Sequence, residues 1–161
     1  MSKETRQQVA RAVNAVESKK GENIVILEMD RNSGAFTDYF ILCTGTNPRQ
    51  IQAISDEIDR QLAQVGVRPN SLEGYNQAEW VLLDYVDFVI HIFSERSRKF
   101  YDLERLWKSA RRLRAADLAK KPAARTAAKK VPARKSKSVA AGRSRTTRAA
   151  KSSRKRTRKR T

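Results

Sequence analysis

Two aspartates, a histidine and a cysteine are the residues of this chain that could do chemistry. Asp84, Asp87 and His91, the single histidine, lie within the apolar run AEWVLLDYVDFVIHIF at residues 78–93. Cys43, the single cysteine, ends the apolar stretch FILC. Metal-assisted nucleotidyl transfer uses two carboxylates at i and i+2 of one strand, so that both point at the same ions. Gly45-Thr46 before a helix is a faint counterpart of the step that holds phosphates in such enzymes. Asp84 and Asp87, however, are three apart and would face opposite sides of one strand, or Asp87 would fall in a turn.

His91 has apolar residues two positions away on both sides, Val89 and Phe93, and no second histidine to complete a metal site. A structural role is therefore expected for it. Cys43 and His91 could in principle pair as nucleophile and base, but no orienting motif accompanies them, and a thiol in an apolar run is usually buried and inert. A single cysteine also excludes an intrachain disulfide and a site of several thiolates. No catalytic residue, metal ligand or cofactor site is expected.

The segment that carries these residues is too long for one strand. It predicts a hairpin, with strands over 80–85 and 88–93 and a tight turn at Val86-Asp87. That turn departs from the Asn-Gly or Asp-Gly pairs that tight hairpins favour. Trp80 and Tyr85, with Asp84 beside them, suit a partner surface on such a hairpin; the alternative is that Trp80 packs beneath a flanking helix.

Around the hairpin the pattern is α-β-β-α-β-β-α. Val9, Ala12, Val13 and Val16 lie at helical spacing within 3–20, with Gly21 placed to end that helix. Runs at 23–29 and 38–45 read as buried strands, joined by the turn-forming RNSGAF. A second helix begins at Asn47 as N-cap, with Pro48 in its first position and Gln50 placed for a capping-box-like pair. Its apolar stripe is Ile51, Ile54, Ile58, Leu62 and Val65, and Gly66 ends it. A short extended piece is expected near Leu72. A last helix is predicted over 94–113, with Phe100, Leu103, Leu106, Trp107, Ala110 and Leu113 as its stripe and Ser94 or Ser97 as its cap. The expected fold is α/β (α+β): a single sheet flanked by helices.

Charge divides the chain. Residues 1–113 hold 16 Lys/Arg and 16 Asp/Glu, whereas residues 114–161 hold 19 Lys/Arg and one acid, Asp117. The net charge of +18 therefore sits in the last segment. That segment has no aromatic residue and too little apolar surface to offset its chain entropy. Two domains follow: a folded one over 1–113 and a disordered Lys/Arg/Ala-rich tail over 114–161. Arg143, Arg145, Arg148, Lys151, Arg154, Lys155, Arg156, Arg158, Lys159 and Arg160 are the candidate contacts to nucleic-acid phosphates. No signal peptide or transmembrane run is evident, and a cytoplasmic location is expected.

Three segments, DYFILCTGTNPRQIQAISDEI, EGYNQAEWVLLDYVDFVIHIF and RKFYDLERLW, together resemble the ribosomal silencing factor family, also called Iojap, over about residues 4–110. The resemblance implies a mixed sheet of about five strands, nucleotidyltransferase-like in shape but without the catalytic acids. It implies no enzyme activity. It implies binding to the large ribosomal subunit through ribosomal protein fourteen of that subunit, a block to small-subunit docking, repression of translation, and an association with late large-subunit assembly. It matches Trp80, Leu82, Asp84 and Tyr85 to the stretch expected at the contact with the ribosomal protein. It also implies a weak homodimer, while the tail would touch ribosomal RNA. The chain departs from the family at Val86, where glycine is usual, and at GTNP, where Gly-Asn-Ser is favoured. A degenerate nucleotidyltransferase and a tail-driven nucleic-acid-binding protein are the alternative readings.

Overall fold

The computed structural model of the protein describes residues 2–30 and 34–119. The ten basic residues singled out between 143 and 160, and part of the RNSGAF turn, lie outside them.

The elements run α1 Lys3–Ser18, β1 Glu22–Glu28, β2 Tyr39–Gly45, α2 Pro48–Ala63, β3 Ser71–Glu73, β4 Trp80–Asp84, β5 Phe88–Ser94, α3 Glu95–Tyr101, α4 Leu103–Leu106, β6 Arg111–Leu113 and α5 Ala115–Leu118. The six strands form one sheet in the order β3-β4-β5-β2-β1-β6. Only β2 and β5 are parallel, so the sheet is mixed, as expected. The α2–β3 crossover and the β4–β5 hairpin carry the chain from β2 back to its parallel neighbour.

The two starting helices form for the reasons their sequence suggests. Ser2 caps α1, its hydroxyl accepting from the Thr5 N–H at 2.9 Å. The left-handed residue after α1 is Lys20 rather than Gly21, whose N–H instead closes onto the Val16 carbonyl at 2.9 Å. Asn47 caps α2, its side-chain oxygen accepting from the Gln50 N–H at 2.9 Å. The Gln50 side chain reaches back to the Thr46 N–H, one residue before the cap, at 2.7 Å. Ile51, Ile54, Ile58 and Leu62 are fully buried, each contributing roughly 2 kcal/mol of apolar burial. Val65 falls past the helix end and is exposed, so it leaves the expected stripe.

The predicted last helix is corrected. It breaks at Asp102, which adopts φ +42°, and its remainder becomes α4 and the short strand β6, paired antiparallel with β1. The apolar spacing that suggested one helix joins residues of different fates: Phe100 and Leu106 are 80% and 71% exposed, whereas Leu113 is buried against β1. Aspartate tolerates the left-handed region better than most residues, which makes position 102 a workable break. Packing also continues past residue 113, because Leu118 of α5 is buried in the core beneath α1.

The sheet has two unlike faces. One is covered by α1 and α2 over Ile26, Tyr39, Ile41, Cys43, Val81, Leu83 and Ile90. There Arg6, itself buried, donates to the Tyr39 hydroxyl at 3.2 Å and to Glu28 at 3.0 Å. The other face carries Leu27, Phe40, Leu42, Val89 and Phe93, and is roofed only in part by Leu103, Trp107 and Ala110. Its β4 end holds the candidate site.

Candidate functional site

Alternation along β4 sends Trp80, Leu82 and Asp84 to the partly roofed face and Val81 and Leu83 to the helix-covered face. Pairing with β5 sets Trp80 opposite Phe93 and Leu82 opposite His91. On the outer side lies only the three-residue edge strand β3, whose exposed Glu73 is opposite Leu82. Gly74 makes the return from β3 to β4 possible. Its φ is +75°, and a Cβ there would stand 2.0 Å from the Trp80 carbonyl oxygen.

The Trp80 ring packs on Phe93, with centroids 5.1 Å apart and planes 27° from parallel, and its indole N–H donates to Nδ1 of His91 at 3.2 Å. Its outer side meets Tyr101, whose centroid is 4.5 Å away. Tyr101 is 45% exposed and touches Phe100 edge-on at 5.0 Å. The result is a half-exposed aromatic surface made of Trp80, Tyr101 and Phe100 with Leu82 beside it. Neither alternative for Trp80 holds alone: it is partly buried under α3 and still contributes to the surface.

Tyr101 was not among the residues singled out from sequence. It lies off the apolar stripe of the expected last helix, and its aromatic ring within the family-like segment RKFYDLERLW was the available signal. Arg98 holds it in place. The guanidinium donates to the Asn23 carbonyl at 2.6 Å, to the Thr44 hydroxyl at 2.8 Å and, through Nε and Nη2, to Glu104 at 3.1 and 2.8 Å. It thus ties α3 to the ends of β1 and β2 and, across the Asp102 break, to α4.

The structure separates Tyr85 from its expected companions. Tyr85 is 7% exposed on the helix-covered face, stacked on Phe88, because it stands an odd number of positions from Trp80 along the chain. Burial pushes its phenol well above the ordinary value, with the Asp59 carboxylate adding to the effect. Asp84 acts locally, its carboxylate accepting from the Val86 N–H at 2.7 Å.

The turn between β4 and β5 is tight and strained. The Asp87 N–H donates to the Tyr85 carbonyl at 2.8 Å across Val86, whose φ is +69°. That is the rare γ-turn with positive φ, unfavourable for a β-branched residue. The Asp87 carbonyl accepts from the backbone of Asp38 at 2.9 Å and of Tyr39 at 3.3 Å, and its carboxylate accepts from the Thr5 hydroxyl at 3.3 Å. The turn is thereby anchored to the start of β2 and to α1.

The residues that could have done chemistry are kept apart. Leu42 is opposite His91 in the parallel pairing, so Cys43, one residue on, points to the other face. Burial pushes the Cys43 thiol up to about 12 and holds the His91 imidazole down at about 4. Asp84 and Asp87 serve the same turn and converge on no common point. Among the described residues there is no group of three or more His, Cys, Asp or Glu placed to hold a metal ion. Nor is any helix among them long and apolar enough to cross a membrane.

The family model described as "Ribosomal silencing factor during starvation" matches residues 2–153 of the chain. A protein of Halalkalibacterium halodurans named ribosomal silencing factor RsfS is 42% identical over 99 residues, which is 62% of this chain and 84% of that protein. The protein of the same name from Bacillus subtilis is 39% identical over 99 residues, again 62% of this chain and 83% of the relative. A crystal structure from Bacillus halodurans, 38% identical, superposes with a TM-score of 0.59 over 67% of this chain and 97% of the other.

Proposed function

The chain belongs to the ribosomal silencing factor family, and from that premise we propose that it binds the large ribosomal subunit through ribosomal protein fourteen of that subunit. Bound there, it keeps the small subunit from docking and represses translation in the cytoplasm without catalysing a reaction. The same contact serves late large-subunit assembly.

The observation that carries this reading is the half-exposed aromatic surface of Trp80 and Tyr101 with Leu82. Tryptophan and tyrosine dominate binding energy at interfaces because each contributes a large rigid area with little rotamer entropy to lose. Glu73, across from Leu82, and Asp84, two residues on, add negative charge at the rim. That charge complements a basic ribosomal protein and steers its approach. Tyr85, buried under α2, is not part of the proposed contact.

The tail adds a second, unspecific grip. Its 19 basic residues, Arg143, Arg145 and Arg148 among them, neutralise ribosomal RNA phosphates and raise the local concentration of the domain. A weak homodimer sharing the open sheet edge gives way to the ribosomal partner; a strict monomer in light scattering at high concentration would count against that part.

Co-sedimentation with purified subunits tests the whole. The full chain should travel with large subunits and reduce their joining to small ones. Trp80→Ala or Tyr101→Ala should weaken binding by about 2 kcal/mol with the fold intact. Equal binding to both subunits, or unchanged binding by both variants, would refute the reading.

A further inference from the structure

His91 is set among the apolar side chains of the partly roofed face. It stands between Phe40, at 5.3 Å, and Trp80, at 5.9 Å, with Phe93 at 6.0 Å in a near-parallel stack. It is 5% exposed, with rings on three sides. Packing alone would be met by an apolar residue of similar size, and a buried imidazole costs free energy unless its nitrogens are used. One nitrogen is used: Nδ1 accepts the Trp80 indole N–H at 3.2 Å.

An indole nitrogen can only donate. The acceptor therefore has to be a neutral imidazole carrying its own proton on Nε2, and burial keeps His91 neutral. Without that acceptor the indole N–H would be left unpaired against an apolar face, and it would gain by swinging towards water. The ring edge that meets Tyr101 and solvent would then change place.

We propose that His91 is a positioning residue for partner binding: by accepting the Trp80 N–H it fixes the indole in the orientation that the ribosomal partner meets. This role rests on the reading of Trp80 and Tyr101 as the partner surface. It makes the single histidine matter at the interface although no partner atom would touch it.

The full-length protein labelled with ¹⁵N at its two tryptophans offers a direct readout. The Trp80 indole signal should show a hydrogen-bonded shift and slowed exchange, lose both in His91→Leu, and recover them in His91→Asn, which restores an acceptor near the Nδ1 position. Large-subunit affinity should fall about fivefold to tenfold in His91→Leu, the scale of one net hydrogen bond, and recover in His91→Asn. Trp80→Phe keeps a ring but lacks the N–H; it should lose a similar factor alone and nothing further when combined with His91→Leu. If His91→Leu fails to fold, the same comparison is made with His91→Gln, which moves the acceptor to the Nε2 position and should weaken binding likewise. Wild-type affinity in His91→Leu and His91→Gln, while Trp80→Ala binds poorly, would overturn this role and leave the surface reading standing. Additive losses in the double variant would overturn it as well. Unchanged binding by both Trp80→Ala and Tyr101→Ala would overturn the surface reading, and this role with it.

Discussion

Tyr85 stacks on Phe88 with ring centroids 4.8 Å apart and planes 12° from parallel, on the sheet face that α2 covers. Its hydroxyl is buried and meets no hydrogen-bond partner among the described residues. Tyr85→Phe should therefore be neutral or slightly stabilising, since it removes an unpaired polar atom. Tyr85→Ala should cost about 3 kcal/mol or more by opening a cavity. Chemical denaturation measures both, and co-sedimentation of the Phe variant should match wild type. A loss of subunit binding in Tyr85→Phe without loss of stability would return this residue to the interface.

Val86 holds a φ of +69° with its side chain 61% exposed, so little apolar burial offsets the strain. Glycine takes this conformation freely. Val86→Gly should raise stability by about 1 kcal/mol, the strain relieved exceeding the added freedom of the unfolded chain. A denaturant midpoint below that of wild type would show that the turn is not strained.

His91 makes stability depend on pH. Its folded value near 4 lies below the ordinary 6.5, because burial penalises the charged ring. Between those values the unfolded chain binds more protons than the folded one, so stability falls as pH drops from about 6.5 towards about 4. The loss is at most about 3 kcal/mol, and above about pH 6.5 the group has no effect. Unfolding free energies across that window should show the slope in wild type and lack this part of it in His91→Asn. Equal slopes in the two proteins would mean that His91 titrates normally in the folded state.

The tail should reveal itself through salt. Each phosphate it neutralises adds about 0.7–0.9 to the slope of log K against log salt. The full chain should bind large subunits more tightly than a chain ending after Ala119, and the advantage should fade as salt rises. The end is placed there because Leu118 is buried in the core. Equal slopes for the two would exclude an RNA-contacting arm.

Much of this molecule is legible in its sequence. The α2 cap at Asn47-Pro48, the buried strand β2, the strand β1, buried only at Ile26 and Leu27, and the β4–β5 hairpin follow from local chemistry: cap side chains, β-branched runs and apolar period act over a few residues. Charge composition marks residues 114–161 as the basic part of the chain, but it could not show that Leu118 packs in the core. The opposite placement of Cys43 and His91 was not legible, because it depends on the register between β2 and β5, set by strands far apart in the chain. Nor was the break at Asp102. The apolar spacing across it is helical, yet Arg98 binds Asn23, Thr44 and Glu104 at once, and Leu113 finds its place against β1. Those long-range contacts outweigh local periodicity, and they bring Tyr101 onto Trp80. Which aromatic residues form a surface was decided by tertiary packing, since burial depends on what lies across the sheet and a residue's own neighbours in sequence do not specify it.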